Sequence, residues 1–235
     1  MARVPTSPRQ TLLSTTDAVL RGSDASDTAP HVPHENSAAS NDTARMSVAL
    51  LTSIVTFGLI YGAAMGTFGG MRPAQVLFSA VKVPLLLLVT GAIGLPSIFV
   101  LYSLSGLRDD FSQVLRGLLA TQAAHATVLA ALAPFTLLWY ASCADYRLAV
   151  LFNALMFAVA TASTQRVLRR YCRELIARNA RHRTLLWAWL ALYVFIGIQM
   201  GWMLRPFIGD PTRTTTFFRP DGLSNAYEAL VRFLL

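Results

Sequence analysis

Residues 83–104 read VPLLLLVTGAIGLPSIFVLYSL, twenty-two residues without one charged side chain. About 20 apolar residues in a helix, rising about 1.5 Å each, cross the roughly 30 Å of hydrocarbon in a bilayer. The stretch therefore predicts a membrane-crossing helix. Four more stretches of the same kind accompany it, at about 47–67, 116–140, 147–165 and 185–204, joined by short polar turns. Pro84 stands in the first turn of its span, where a helix tolerates it, whereas Pro96 and Pro134 fall inside spans and should kink them.

The composition points the same way. Of 235 residues, 54% are hydrophobic and 14% charged, against roughly 25% charged in soluble domains. The expected fold class is all-α, an integral membrane bundle of about five transmembrane helices with a disordered N-terminal tail. Residues 1–45 form that tail, because they are rich in Ser, Thr, Ala, Pro and Asp and cannot bury enough apolar surface to offset ordering entropy. The transmembrane domain is expected at 46–208. Residues 209–235 form an extracytoplasmic tail, whose end carries Tyr227, Leu230, Val231 and Leu234 on one face and is expected to lie in the membrane interface.

Within the N-terminal tail, residues 11–20 suit a brief amphipathic helix. His31 and His34 in HVPHE flank Pro33 and have no further ligand at suitable spacing, so no metal site is expected there. A signal-peptide core is missing near the N-terminus, which makes the first span an uncleaved signal anchor. Cys143 and Cys172 fall at opposite ends of the fourth span, too far apart to pair within one chain.

Orientation is read from the basic link at 165–184, where Arg166, Arg169, Arg170, Arg173, Arg178, Arg181 and Arg183 face a single carboxylate, Glu174. Arginine accumulates on the cytoplasmic side of membrane proteins. This places the link, the N-terminus and the 105–115 turn in the cytoplasm and the C-terminus outside, in a bacterial inner membrane. Arg166, Arg169, Arg170 and Arg173 recur at helical spacing opposite Leu168, Tyr171, Cys172, Leu175 and Ile176, a basic amphipathic helix suited to anionic lipid. Nucleic acid is not an expected partner, because the link offers no stacking aromatic beyond Tyr171.

Gly58, Gly62, Gly66 and Gly70 recur every four residues, and Gly197 and Gly201 repeat the spacing once. Small residues on one face let membrane helices approach closely. The ridge predicts helix packing within the chain, with another copy, or with a partner membrane protein, a glycine-lined pore being the further alternative.

Polar side chains inside hydrocarbon are costly and worth locating by depth. Tyr61, Thr90, Asn153 and Gln199 fall at about one level, a candidate polar pocket facing outward, with interhelical hydrogen bonding as the plainer reading. His125 and Gln122 share a face of the third span, but a proton relay needs a titratable partner, and no Asp or Glu lies within any span. That counts against an ion-coupled transporter. Asp109 and Asp110 precede the third span and are expected to cap it. There is no GxSxG, zinc-ligand spacing or phosphate-cradling loop, so nothing argues for catalysis or for a cofactor. Phe217 and Phe218, side by side on an outer loop, are expected to dip into lipid or meet a partner.

The strings VKVPLLLL (81–88), LRDDF, APFTLLWY and GIQMGWMLRPFIGDP resemble segments of an uncharacterised group of bacterial multi-pass membrane proteins, over roughly 55–228. Five spans with a cytoplasmic tail also resemble the architecture of Yip1-type membrane proteins, which implies membrane organisation rather than catalysis. The sequence therefore points to a structural or accessory component of a membrane assembly. A small channel or uncoupled transporter using the polar level is the contrasting reading.

Overall fold

A backbone in hydrocarbon must satisfy its own amides and carbonyls, and the apolar stretches do so as helices. The computed structural model describes residues 36–70, 72–209 and 215–218. The readings at 11–20, at HVPHE and at 225–235 lie outside these residues. The helices are α1 (Asn36–Gly66), α2 (Pro73–Leu104), α3 (Phe111–Ser142), α4 (Tyr146–Tyr171), the short α5 (Arg173–Arg178) and α6 (Arg181–Met203), with a 3-10 turn at Arg108–Asp110. All but α5 are long and apolar enough to cross a membrane, and no strand occurs among the described residues. The chain is an all-helical, multi-pass membrane protein.

Several helices outrun their apolar cores. Hydrocarbon thickness sets the apolar length, whereas a helix once begun gains a hydrogen bond with each added residue. Hence α1 starts at Asn36, ten residues before the expected boundary at 46, and α4 continues through the first arginines to Tyr171. α2 starts at Pro73, which takes the first-turn position expected of Pro84; Pro84 and Pro96 lie inside α2, and Pro134 inside α3, with the helices unbroken. Asp145 caps α4, its carboxylate accepting from the amides of Arg147 at 2.7 Å and Leu148 at 3.0 Å. Gly106 turns the chain between α2 and α3 at φ +72°, a conformation open chiefly to glycine.

Short connections make helices adjacent in sequence antiparallel. The 105–110 turn and α5 therefore share one end of the bundle, here termed the arginine end. α2 and α3 both pack on α1, α4 packs on α3, and α6 packs chiefly on α2. α3 is central, with 56% of its most apolar window buried, against 17% for the peripheral α6. The larger core joins Tyr61 and Met65 of α1, and Phe68 in the turn after it, to Leu87 of α2 and an alanine-rich face of α3 that includes Ala120, Ala123 and Ala124. A second core at the arginine end joins Ile98 and Tyr102, Val114 and Leu118, Leu168 and Cys172, and Leu185 and Trp189. Hydroxyls along the spans bond back to the carbonyl one turn earlier, as in Ser53 to Ala49, Thr121 to Gly117 and Thr164 to Ala160, which satisfies them without a neighbouring helix.

Candidate functional site

Three of the ridge glycines lie against the backbone of α2. A Cβ added at Gly62 would stand 2.7 Å from Ala80 Cα, with the Ser79 carbonyl closer still; at Gly66 it would stand 2.6 Å from Val76 Cα, and at Gly58 3.0 Å from Pro84 Cβ. Gly70 falls outside this contact, in the turn after α1 at φ +109° with open space around it. On α6, a Cβ at Gly197 would meet the Thr90 methyl at an ordinary 3.7 Å, and one at Gly201 would meet nothing within 4 Å.

Of the four residues at the polar level, the structure joins two. The Tyr61 hydroxyl donates to Asn153 Oδ1 at 3.0 Å. Asn153 Nδ2 in turn donates to the Tyr140 hydroxyl at 2.7 Å and to the Ala149 carbonyl at 2.8 Å. The amide thus uses its oxygen and both N–H groups, tying α1, α3 and α4 together. Thr90 faces α6, where its methyl meets Gly197, and Gln199 is half-buried on α6. Depth is shared, but rotation about each helix separates the groups.

Nearer the arginine end, a cavity of about 20 Å³ lies among α3, α4 and α6, lined by Thr121, Gln122, His125, Thr164, Gln165 and Tyr193 among others. That volume holds one water molecule. His125 is 4% exposed, and its Nε2 has no hydrogen-bond partner. Gln122 bridges three helices, accepting from the Tyr193 hydroxyl at 3.0 Å and donating to the Leu87 carbonyl at 3.3 Å. Gly91 makes room, since a Cβ there would stand 2.7 Å from Gln122 Nε2.

At the opposite end lies a cluster that sequence reasoning missed. Gln75, Ser79 and Lys82 occupy one stripe of α2, spaced i, i+4 and i+7, and all three are buried. They receive the segment leaving α6. Lys82 Nζ donates to the Pro206 carbonyl at 2.9 Å, Gln75 Nε2 to the Phe207 carbonyl at 3.2 Å, and Ser79 Oγ to that same carbonyl. Phe217 covers the ammonium, its ring centroid 4.7 Å from Nζ, and packs edge-on against Phe78 at 5.2 Å; Phe218 beside it is 55% exposed. Lys82 is the only lysine in the sequence. That, with polar residues at helical spacing in QVLFSAVK, was the signal available.

At the arginine end, Arg166, Arg169, Arg170, Arg173, Arg178, Arg181 and Arg183 are all exposed, while Leu168, Cys172 and Leu175 on the opposed face are buried. Burial pushes the Cys172 thiol up to about 11. Both cysteines are free. The Arg169 guanidinium lies 5.2 Å from the Trp187 ring centroid. Asp110 stands at the start of α3, but its carboxylate makes no capping bond. It turns instead to His182, with Oδ2 3.2 Å from Nε2, while His182 Nδ1 lies 3.4 Å from the Tyr102 hydroxyl. The capping expectation fails for Asp110 because a buried imidazole competes for its carboxylate. His182 sits within the arginine run, where charge concealed it.

Among the described residues, no three of His, Cys, Asp and Glu converge as metal ligands. Compared with protein-family models, with curated proteins and with solved structures, the chain matches none.

Proposed function

We propose that this protein is a structural or accessory component of a membrane assembly, and that α6 is the helix it offers to a partner membrane protein. One contrast carries the reading: the α1 ridge is already filled by α2, whereas α6 packs chiefly on one neighbour and leaves Gly201 open. Trp187, Val194 and Ile198 are exposed along α6 at spacings that place them on one stripe. Small residues beside such a stripe allow a second helix to approach. The seven exposed arginines support a cytoplasmic position for their end in a bacterial inner membrane, with the N-terminus inside and the C-terminus outside. A channel through the outer polar level is the weaker reading, because Tyr61 and Asn153 bond each other and Thr90 faces elsewhere.

A photocrosslinking residue at Ile198, and separately at Leu59 on α1, tests this in intact membranes. Crosslinks to another polypeptide from Ile198 and not from Leu59 are expected. A native mass of one chain, with no protein crosslink from any exposed α6 position, overturns the proposal.

A further inference from the structure

An apolar groove of about 770 Å³ runs between α2 and α6, walled by Pro96, Ser97, Val100 and Leu101 on one side and by Ala188, Ala191, Leu192 and Phe195 on the other. The groove is shallow and open along its length. Along α6 the wall residues recur at i, i+3, i+4 and i+7, so they share a face. Continued toward the arginine end, the same stripe passes Thr184 and reaches Arg181, both exposed. The α2 wall ends likewise, its stripe passing Leu104 to the turn that carries Arg108, whose guanidinium lies 5.9 Å from the Phe99 ring. The groove therefore begins beneath cations and runs into the apolar interior.

We infer that this groove binds one anionic phospholipid, an acyl chain lying between α2 and α6 and the phosphate held at Arg181. Charge complementarity selects this occupant, since a groove for an uncharged chain needs no cation above it. Dimensions agree. Arg181 to Phe195 is fourteen helical residues, about 21 Å, and half of a bilayer with its headgroups is about 20 to 22 Å. The row from Arg166 on α4 to Arg173 on α5 supplies general attraction to an anionic surface. Arg181 is set apart because its stripe continues into a shaped apolar slot.

The test uses the full chain, reconstituted into nanodiscs of phosphatidylcholine with one-fifth phosphatidylglycerol, then released and weighed intact by native mass spectrometry. Wild type is expected to retain one phosphatidylglycerol. Ala191→Phe, which fills the groove from a lipid-facing position, is expected to lose it, and Arg181→Gln to weaken retention roughly fivefold, the equivalent of about 1 kcal/mol per arginine near an anionic surface. Arg147→Gln, an exposed arginine at the opposite end, is expected to change nothing. Equal retention of phosphatidylcholine, unaltered retention in both groove variants, or a protein crosslink from Ala191 in native membranes overturns the inference.

Discussion

Replacing Gly62 by alanine adds one methyl group at the tightest point between α1 and α2. Its Cβ would stand 2.7 Å from Ala80 Cα, with the Ser79 carbonyl closer still, and ordinary contact begins near 3.4 Å, so the helices must separate by at least about 0.7 Å there. The opposing atoms are backbone and cannot rotate away. A gap of about 0.5 to 1 Å forfeits a quarter to a half of each dispersion contact, and overpacking of this kind costs about 1 to 3 kcal/mol. Alanine's better helix propensity returns up to about 1 kcal/mol. The expected net loss is therefore up to about 2 kcal/mol for Gly62→Ala, similar for Gly66→Ala, smaller for Gly58→Ala, and none for Gly201→Ala, where a Cβ meets open space. Unfolding of the four variants in one detergent, followed by helical circular dichroism, reads that order. If Gly62→Ala unfolds at or above the wild-type midpoint while Gly201→Ala falls below it, the α1–α2 contact is not what stabilises the bundle.

Three further outcomes are expected. Asn153→Leu removes the bonds to Tyr61 and Tyr140 and should destabilise by roughly 0.6 to 2 kcal/mol, with Tyr140→Phe giving a smaller effect in the same assay; no change in either would mean the network is idle. Lys82→Met leaves the Pro206 carbonyl without its donor, at about 1 to 3 kcal/mol, and should speed chymotryptic cleavage after Phe207; unaltered cleavage would show the segment is held by other contacts. Cys143, half-exposed, should react with maleimide at neutral pH while Cys172 stays protected until denaturation. Because burial raises the Cys172 thiol from 9.0 to about 11, its contribution to stability is full below about pH 9 and is lost as pH climbs toward 11. A Cys172→Ala variant with the same alkaline stability profile as wild type would contradict that assignment.

The five crossings were legible because hydrocarbon imposes a length, and each run of about 20 apolar residues meets it. The helix ends were not. Residues 73–82 mix Gln75, Ser79 and Lys82 with Val76, Leu77 and Val81, which reads as a loop boundary until the segment at 204–209 supplies the carbonyls that those donors meet. Depth could be counted along each span, and Tyr61 and Asn153 do meet at their shared level. Azimuth could not, since α2 packs on α1 along one side and α6 along another, and Thr90 lies on the second. Asp110 and His182 illustrate a further limit: their encounter spans 72 positions, and neither residue's immediate neighbours hint at it.

The attachment of Lys82 to Pro206 also carries a consequence for biosynthesis. The two residues are 124 positions apart, and a ribosome adding about 5 to 20 residues per second takes roughly 6 to 25 s to make the intervening chain. For most of that interval, once the chain through Leu104 has been made, α2 carries an ammonium without the Pro206 carbonyl that finally receives it. Such a side chain stretches toward the aqueous surface, which holds α2 shallow during translation. The attachment can form only when the last span has been made and the chain beyond it folds back, so the C-terminal segment is joined to α2 after every other helix has been synthesised.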